Sequence, residues 1–210
     1  MQRAVFTSLR GTQCRGYTQS VNASLFLRVG LVAALAAYSR FSFTAPMMEL
    51  GDDASFMHRV HLVFHEAGHV LLLWASPLWH SLGGTIGQLA VPFAIAVAFV
   101  VKNRDGFGAA VCAWWFGHSL VDVAPYINDA RKMQLTLLGG QTGMEVEGHD
   151  WNFILDRLGL LNMDIHYARD VLLAGRVVMA LSLLAAAGFA VWHGVKHTRF
   201  AVLRDGKRPL

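Results

Sequence analysis

The sequence predicts an all-α protein, a polytopic transmembrane helix bundle of about four spans plus an ambiguous N-terminal apolar segment. Hydrophobic residues make up 54% of the 210-residue chain and charged residues only 15%, and the mean hydropathy is +0.40, a balance rare in water-soluble domains. Long apolar stretches follow one another with no low-complexity linker or internal repeat, and none alternates as the strands of a membrane barrel would. The positive charge gathers at the ends, on Arg3, Arg10 and Arg15 and on Lys196, Arg199, Arg204, Lys207 and Arg208. Basic residues flanking apolar segments are retained on the cytoplasmic side of a membrane, so the net charge of +4 reads as topology and not as a nucleic-acid surface.

Residues 1–21 read as a basic polar tail or targeting segment, and residues 22–210 as one integral membrane domain. The run at 25–38 has a short apolar core interrupted by Arg28, which suits a signal core, an interfacial helix or a weak span. Four stronger candidates follow at 58–82, 85–101, 106–126 and 171–192, each long enough to be read as a helix crossing the hydrocarbon layer. With those four, the basic N-terminus, the turn Lys102-Asn103-Arg104-Asp105 and the basic C-terminus all fall on one side. Residues 127–170 then form the one large loop, on the opposite side. The expected setting is the lipid bilayer of a cell (inner) membrane, or of an organelle if the basic N-terminus is an import signal. Cys14 and Cys112 are too isolated to suggest a disulfide framework or a thiolate metal site.

The chemistry centres on His65-Glu66-Ala67-Gly68-His69. Histidines four residues apart project from one helix face at a spacing suited to two ligands of a tetrahedral metal. A glutamate beside them serves, in sites of this kind, as general base to the metal-activated water. With ten histidines and four glutamates in the chain, chance produces this pattern in about one such sequence in a hundred. Ionisable groups are also costly within an apolar segment unless they have a partner and a use. His58 and His61 extend the same stripe, where they face water or headgroups, or form a second metal site or a proton path.

A catalytic zinc needs a third protein ligand and an open position. Asp122 is the best candidate, because a carboxylate inside an apolar span requires a positive partner; His118, one turn earlier, is either a hydrogen-bonding support or itself the ligand. The competing source is the loop cluster Glu145, Glu147, His149 and Asp150, with His149 the alternative third ligand and a helix start at Asp150 the plainer reading. Asp129 is expected to pair with Arg131 or Lys132.

An HExxH motif in an apolar segment, followed two segments later by an intramembrane aspartate near a proline, resembles the site-2 protease family of intramembrane zinc metallopeptidases, over about residues 57–126. The resemblance implies Zn2+ held by His65, His69 and Asp122, Glu66 as catalytic base, and hydrolysis of peptide bonds in a membrane-embedded or membrane-adjacent peptide. It departs from that family in having Val123 where a glycine usually follows the aspartate. The stretch 119–151 is also similar to small bacterial membrane proteins of no assigned activity. The other readings consistent with the residues are a metal-dependent hydrolase of a lipid or another amide or ester, and a non-enzymatic metal-binding or transport protein.

Overall fold

A computed structural model describes the backbone of residues 2–51, 55–146 and 148–205, with side chains described within 23–196. The basic residues of the two tails other than Lys196, together with Cys14 and Glu147, lie outside the described side chains. The architecture is all-helical: α1 (Gln2–Thr44), α2 (Met47–Gly51), α3 (Phe56–Leu71), α4 (Pro77–Ala98), α5 (Gly106–Asn128), α6 (Asp150–Arg157) and α7 (Asp164–Asp205). A π-helical turn, Phe99–Asn103, continues α4, and a 3-10 turn, Leu161–Met163, introduces α7. Four helical stretches are long and apolar enough to cross a bilayer: Ala23–Thr44, Pro77–Asn103, Gly106–Asn128 and Leu161–Lys196. The chain is a membrane protein.

The number of spans agrees with the sequence expectation, but the membership does not. The segment 58–82 is not one span. It breaks at 72–76, because Ser76 is held extended (φ −64°, ψ 157°) ahead of Pro77, which starts α4 at its first turn. The HEAGH helix α3 is therefore only 16 residues, about 24 Å, short of the roughly 30 Å hydrocarbon layer. Its place as a span is taken by the first apolar segment, which sits in an uninterrupted helix.

Helix register shows which ends lie together. Leu25 meets Gly194 and the Arg176 guanidinium binds the Ser42 carbonyl, so α1 and α7 are antiparallel. Gly106 lies against Phe189, while Gly117 lies against Gly175 and Met179, so α5 and α7 are antiparallel too. The lower end of α1, the 102–105 turn and the lower end of α7 thus share one end of the bundle, the basic end. At the 102–105 turn Arg104 adopts a left-handed conformation (φ 51°), and the Asp105 carboxylate accepts from the Phe107 N–H to start α5.

Packing follows the apolar pattern. Trp114, Val121, Ala124, Leu172 and Met179 form the central core between α5 and α7, and Val123, Ile127, Ala130, Leu155 and Ala168 close the end away from the basic segments. Exposed Phe93, Val97, Val100, Leu173, Val177 and Leu184 face outward as lipid-facing residues do. Arg176 extends to the carbonyls of Ser42 (2.9 Å) and Ala45 (2.8 Å), capping the end of α1, which explains a guanidinium within a span.

Candidate metal centre

α3 packs against α4 in a tight hairpin made possible by glycine. A Cβ at Gly68 would collide with the Gly83 carbonyl, and one at Gly83 would lie 2.7 Å from the Gly68 oxygen, so the two backbones touch. Gly84 has a more specific part: a Cβ there would run into His65 Nε2 and would lie 2.5 Å from His69 Nε2. The two HEAGH imidazoles occupy the space a side chain would fill.

Each imidazole is oriented from behind. His69 Nδ1 donates to the His80 carbonyl at 2.8 Å, and His65 Nδ1 donates to Gln88 Oε1 at 3.3 Å. The Gln88 amide cannot turn round, since its Nε2 donates to Asp122 Oδ2 (2.8 Å) and the Ser119 carbonyl (3.4 Å), both acceptors. With Nδ1 committed as donor on both rings, each presents Nε2 to the same atom, Asp150 Oδ2, at 3.3 Å from His65 and 3.2 Å from His69. Asp150 is the first residue of α6, and its own N–H donates to the Tyr126 hydroxyl at 3.0 Å, fixing the carboxylate over α3. The His149 ring caps α6 by accepting from the Asn152 N–H.

Two imidazole nitrogens and a carboxylate oxygen around one point need positive charge between them. In the metal-free protein, protons supply it. The hydrogen bond that His69 donates to the Asp150 carboxylate raises the pKa of His69 above its ordinary value. Burial works to raise the Asp150 carboxyl, but hydrogen bonds from His65 and His69 outweigh it and hold that group below the usual carboxylate range. A metal ion would replace those protons. The donor set fits one: the three ligand atoms lie within 4.8 Å of one another, and tetrahedral bonds of about 2.0–2.1 Å separate neighbouring donors by roughly 3.3–3.5 Å. Among the described residues this is the one group of histidine, cysteine and carboxylate side chains that meets the spacing. Glu66 is exposed on α3 beside the cluster, close enough to His69 and Tyr126 to act on both electrostatically.

The carboxylate that faces HEAGH is therefore Asp150 and not the expected Asp122. Asp122 does not reach HEAGH; its Oδ1 lies 2.8 Å from His58 Nδ1, and its Oδ2 lies 3.2 Å from His61 Nδ1. α3 begins at the depth of Asp122 and runs parallel to α5, so the residues one and two turns before HEAGH meet the aspartate. HEAGH itself is carried up to Tyr126, whose ring centroid lies 6.1 Å from that of His65. His149 does not join this group either: beside its capping role, its Nε2 faces buried Asp129 at 3.4 Å, and burial pushes its pKa down. His118 lies against His61 (5.2 Å between ring centroids) with Nε2 3.4 Å from Ser42 Oγ, away from HEAGH. Asp129 pairs with neither Arg131 nor Lys132. It accepts from the N–H groups of Gln134 (3.0 Å) and Leu135 (2.8 Å), while Arg131 binds Asp164 at 2.7 Å.

Sequence reasoning missed Gln88, Gly84 and Tyr126, and named Asp150 only within the loop cluster. The glycines at 83, 84 and 87 in an otherwise apolar helix are the one signal that could have pointed to close approach. Comparison of the chain with protein-family models, with curated proteins and with solved structures finds no match.

Proposed function

We propose that this chain is a membrane-embedded zinc metallopeptidase whose ligands are His65, His69 and Asp150 and whose general base is Glu66. The observation that carries the reading is the convergence of both HEAGH Nε2 atoms on one Asp150 oxygen, with each Nδ1 held by a carbonyl oxygen behind it. Three protein donors leave a position open, the arrangement of a catalytic site and not of a closed structural one. Zinc held there would supply Lewis acidity, lowering the pKa of a water and polarising a carbonyl. Glu66, on the exposed side of α3, receives the proton from the attacking water and returns it to the leaving amine. Gln88 and the His80 carbonyl keep the two imidazoles in the tautomer that directs Nε2 to the cluster. This reading keeps the HEAGH motif on which the resemblance to site-2 proteases rests, and puts Asp150 in place of Asp122.

The cluster lies at the end of the bundle away from the basic segments, so a cell membrane with those segments in the cytoplasm puts the reaction at the outer face. A metal-dependent ester or lipid hydrolase would use the same residues.

One observation favours a second reading, metal or proton transport. A buried polar chain continues inward from His65 through Gln88, Asp122 and His61 towards His118 and Ser42.

Elemental analysis of detergent-purified protein, paired with turnover of a quenched fluorescent peptide library, tests both readings. The hydrolase expectation is about one zinc per chain, lost in His65→Ala and Asp150→Ala. Glu66→Gln should keep zinc and lose turnover. Zinc-free wild-type protein overturns the proposal, and peptide turnover that survives Glu66→Gln removes the base assignment. Wild-type protein that holds zinc but cleaves nothing, and instead conducts zinc or protons in liposomes, selects the transport reading.

A further inference from the structure

Beside Asp150 the loop, α6 and the start of α4 border an open cavity of about 690 Å³, within the range of small-ligand sites. Its walls combine the apolar side chains Met133, Met144, Val146 and Phe153 with Ser81 from the first turns of α4, and it meets the ligand set at Asp150. We infer that this cavity is the substrate's specificity subsite, taking an apolar side chain of a peptide that approaches from the loop side, outside the bilayer. The inference rests on the proposed hydrolase and adds its substrate class and direction of entry.

Three features support it. Apart from Ser81 in the first turns of α4, the cavity is walled by α6 and by the loop outside the spans, so it is reached from water. Its lining is mixed: the polar residues Ser81, Asn152 and Glu145 stand among the apolar side chains, as recognition of a peptide backbone with an apolar side chain requires. Two methionines give it an adaptable wall that tolerates several apolar shapes. A contrasting cavity of about 520 Å³ lies at the basic end between α4, α5 and α7, lined by Val97, Val100, Leu181 and Phe189 with almost no polar group. That is the kind of space an acyl chain fills, and it is at the far end of the bundle from the cluster.

Zinc-loaded full-length protein in detergent micelles would be titrated with acetohydroxamate, N-acetyl-leucine hydroxamate and decanoyl hydroxamate. Each binds a zinc through the same group, so differences report the rest of the molecule. The leucine compound should bind at least about tenfold tighter than acetohydroxamate, the gain of burying one aliphatic side chain. Ser81→Phe, which fills the cavity from the helical wall, and Val146→Trp, which fills it from the loop, should each erase that gain and leave acetohydroxamate affinity and zinc content unchanged. Equal binding of the leucine and acetyl compounds, or a gain indifferent to both substitutions, overturns the subsite while leaving the zinc site standing. Tighter binding of the decanoyl compound alone overturns the peptide class in favour of a lipid. Failure of the protein to take up zinc overturns the hydrolase reading and this inference with it.

Discussion

Two clusters of two histidines and one aspartate sit a helical turn or two apart along α3, and they use the same groups to opposite ends. In the upper cluster His65 and His69 both turn Nε2 to a single oxygen of Asp150, and their Nδ1 atoms are anchored behind. In the lower one His58 and His61 use Nδ1, on different oxygens of Asp122, and Gln88 takes a second position on one of them. The first arrangement concentrates electron pairs on one point, which calls for a cation. The second distributes donors around a carboxylate, which satisfies a buried charge with neutral or protonated partners. Residue type and spacing are nearly identical; what separates the two is which ring nitrogen faces the carboxylate.

That contrast can be broken most directly at the ligands. His69→Ala and Asp150→Ala should reduce bound zinc from about one per chain to near zero, whereas His58→Ala should leave it near one, all read by elemental analysis. Gly84→Ala comes next. Its methyl enters the space of both imidazoles, and overpacking of this kind costs about 1–3 kcal/mol, so zinc affinity should fall by roughly ten- to a hundredfold with the fold intact by circular dichroism.

The link between the clusters should show an effect of about the same size. Gln88→Leu removes the acceptor behind His65, and loss of such a support typically costs about ten- to a hundredfold in metal affinity. Asp122→Leu should produce a similar loss by freeing the Gln88 amide, and the double variant should be no worse than Gln88→Leu alone; additive losses would mean that Asp122 acts by another route. Proton competition sharpens the same distinction. His69 carries a raised pKa in the zinc-free protein, so as pH falls through that value its proton occupies the position a metal would take. Zinc affinity should then fall by up to about tenfold per pH unit, and calorimetry in buffers of different ionisation enthalpy should register proton release on binding. The smallest expected effect is His149→Ala, which removes the α6 cap, costs about 1 kcal/mol, and should lower thermal stability while keeping zinc bound.

The membrane bundle and the HEAGH pair were legible from apolar run lengths and from a four-residue histidine spacing, both local properties. The carboxylate that faces HEAGH was not. Reading 58–82 as one continuous span hid the short length of α3, although Ser76-Pro77 is a local helix-start signal that marks the break. Once α3 is short and begins beside Tyr38, Asp122 falls opposite His58 and His61, and HEAGH is left for a residue from the loop. The start of α6 at Asp150 was also visible locally. Its place over α3 was not, because that depends on the Tyr126 hydroxyl and on the tertiary path of the chain from 129 to 149. The role of Gln88 was equally hidden, since nothing local distinguishes a buried amide that orients a histidine from one that fills a polar gap.

Asp150 follows His65 by 85 positions, and this distance bears on how the protein is made. Synthesis proceeds from the N-terminus, so the α3–α4 hairpin that carries His65 and His69 is made well before α6 leaves the ribosome. During that interval the two histidines offer a bidentate and weak hold on any ion. In the proposed zinc site, full affinity would arrive only when the loop has folded and the carboxylate has docked, so metal capture would be timed to the last assembly step and would mark a chain that has reached its finished topology.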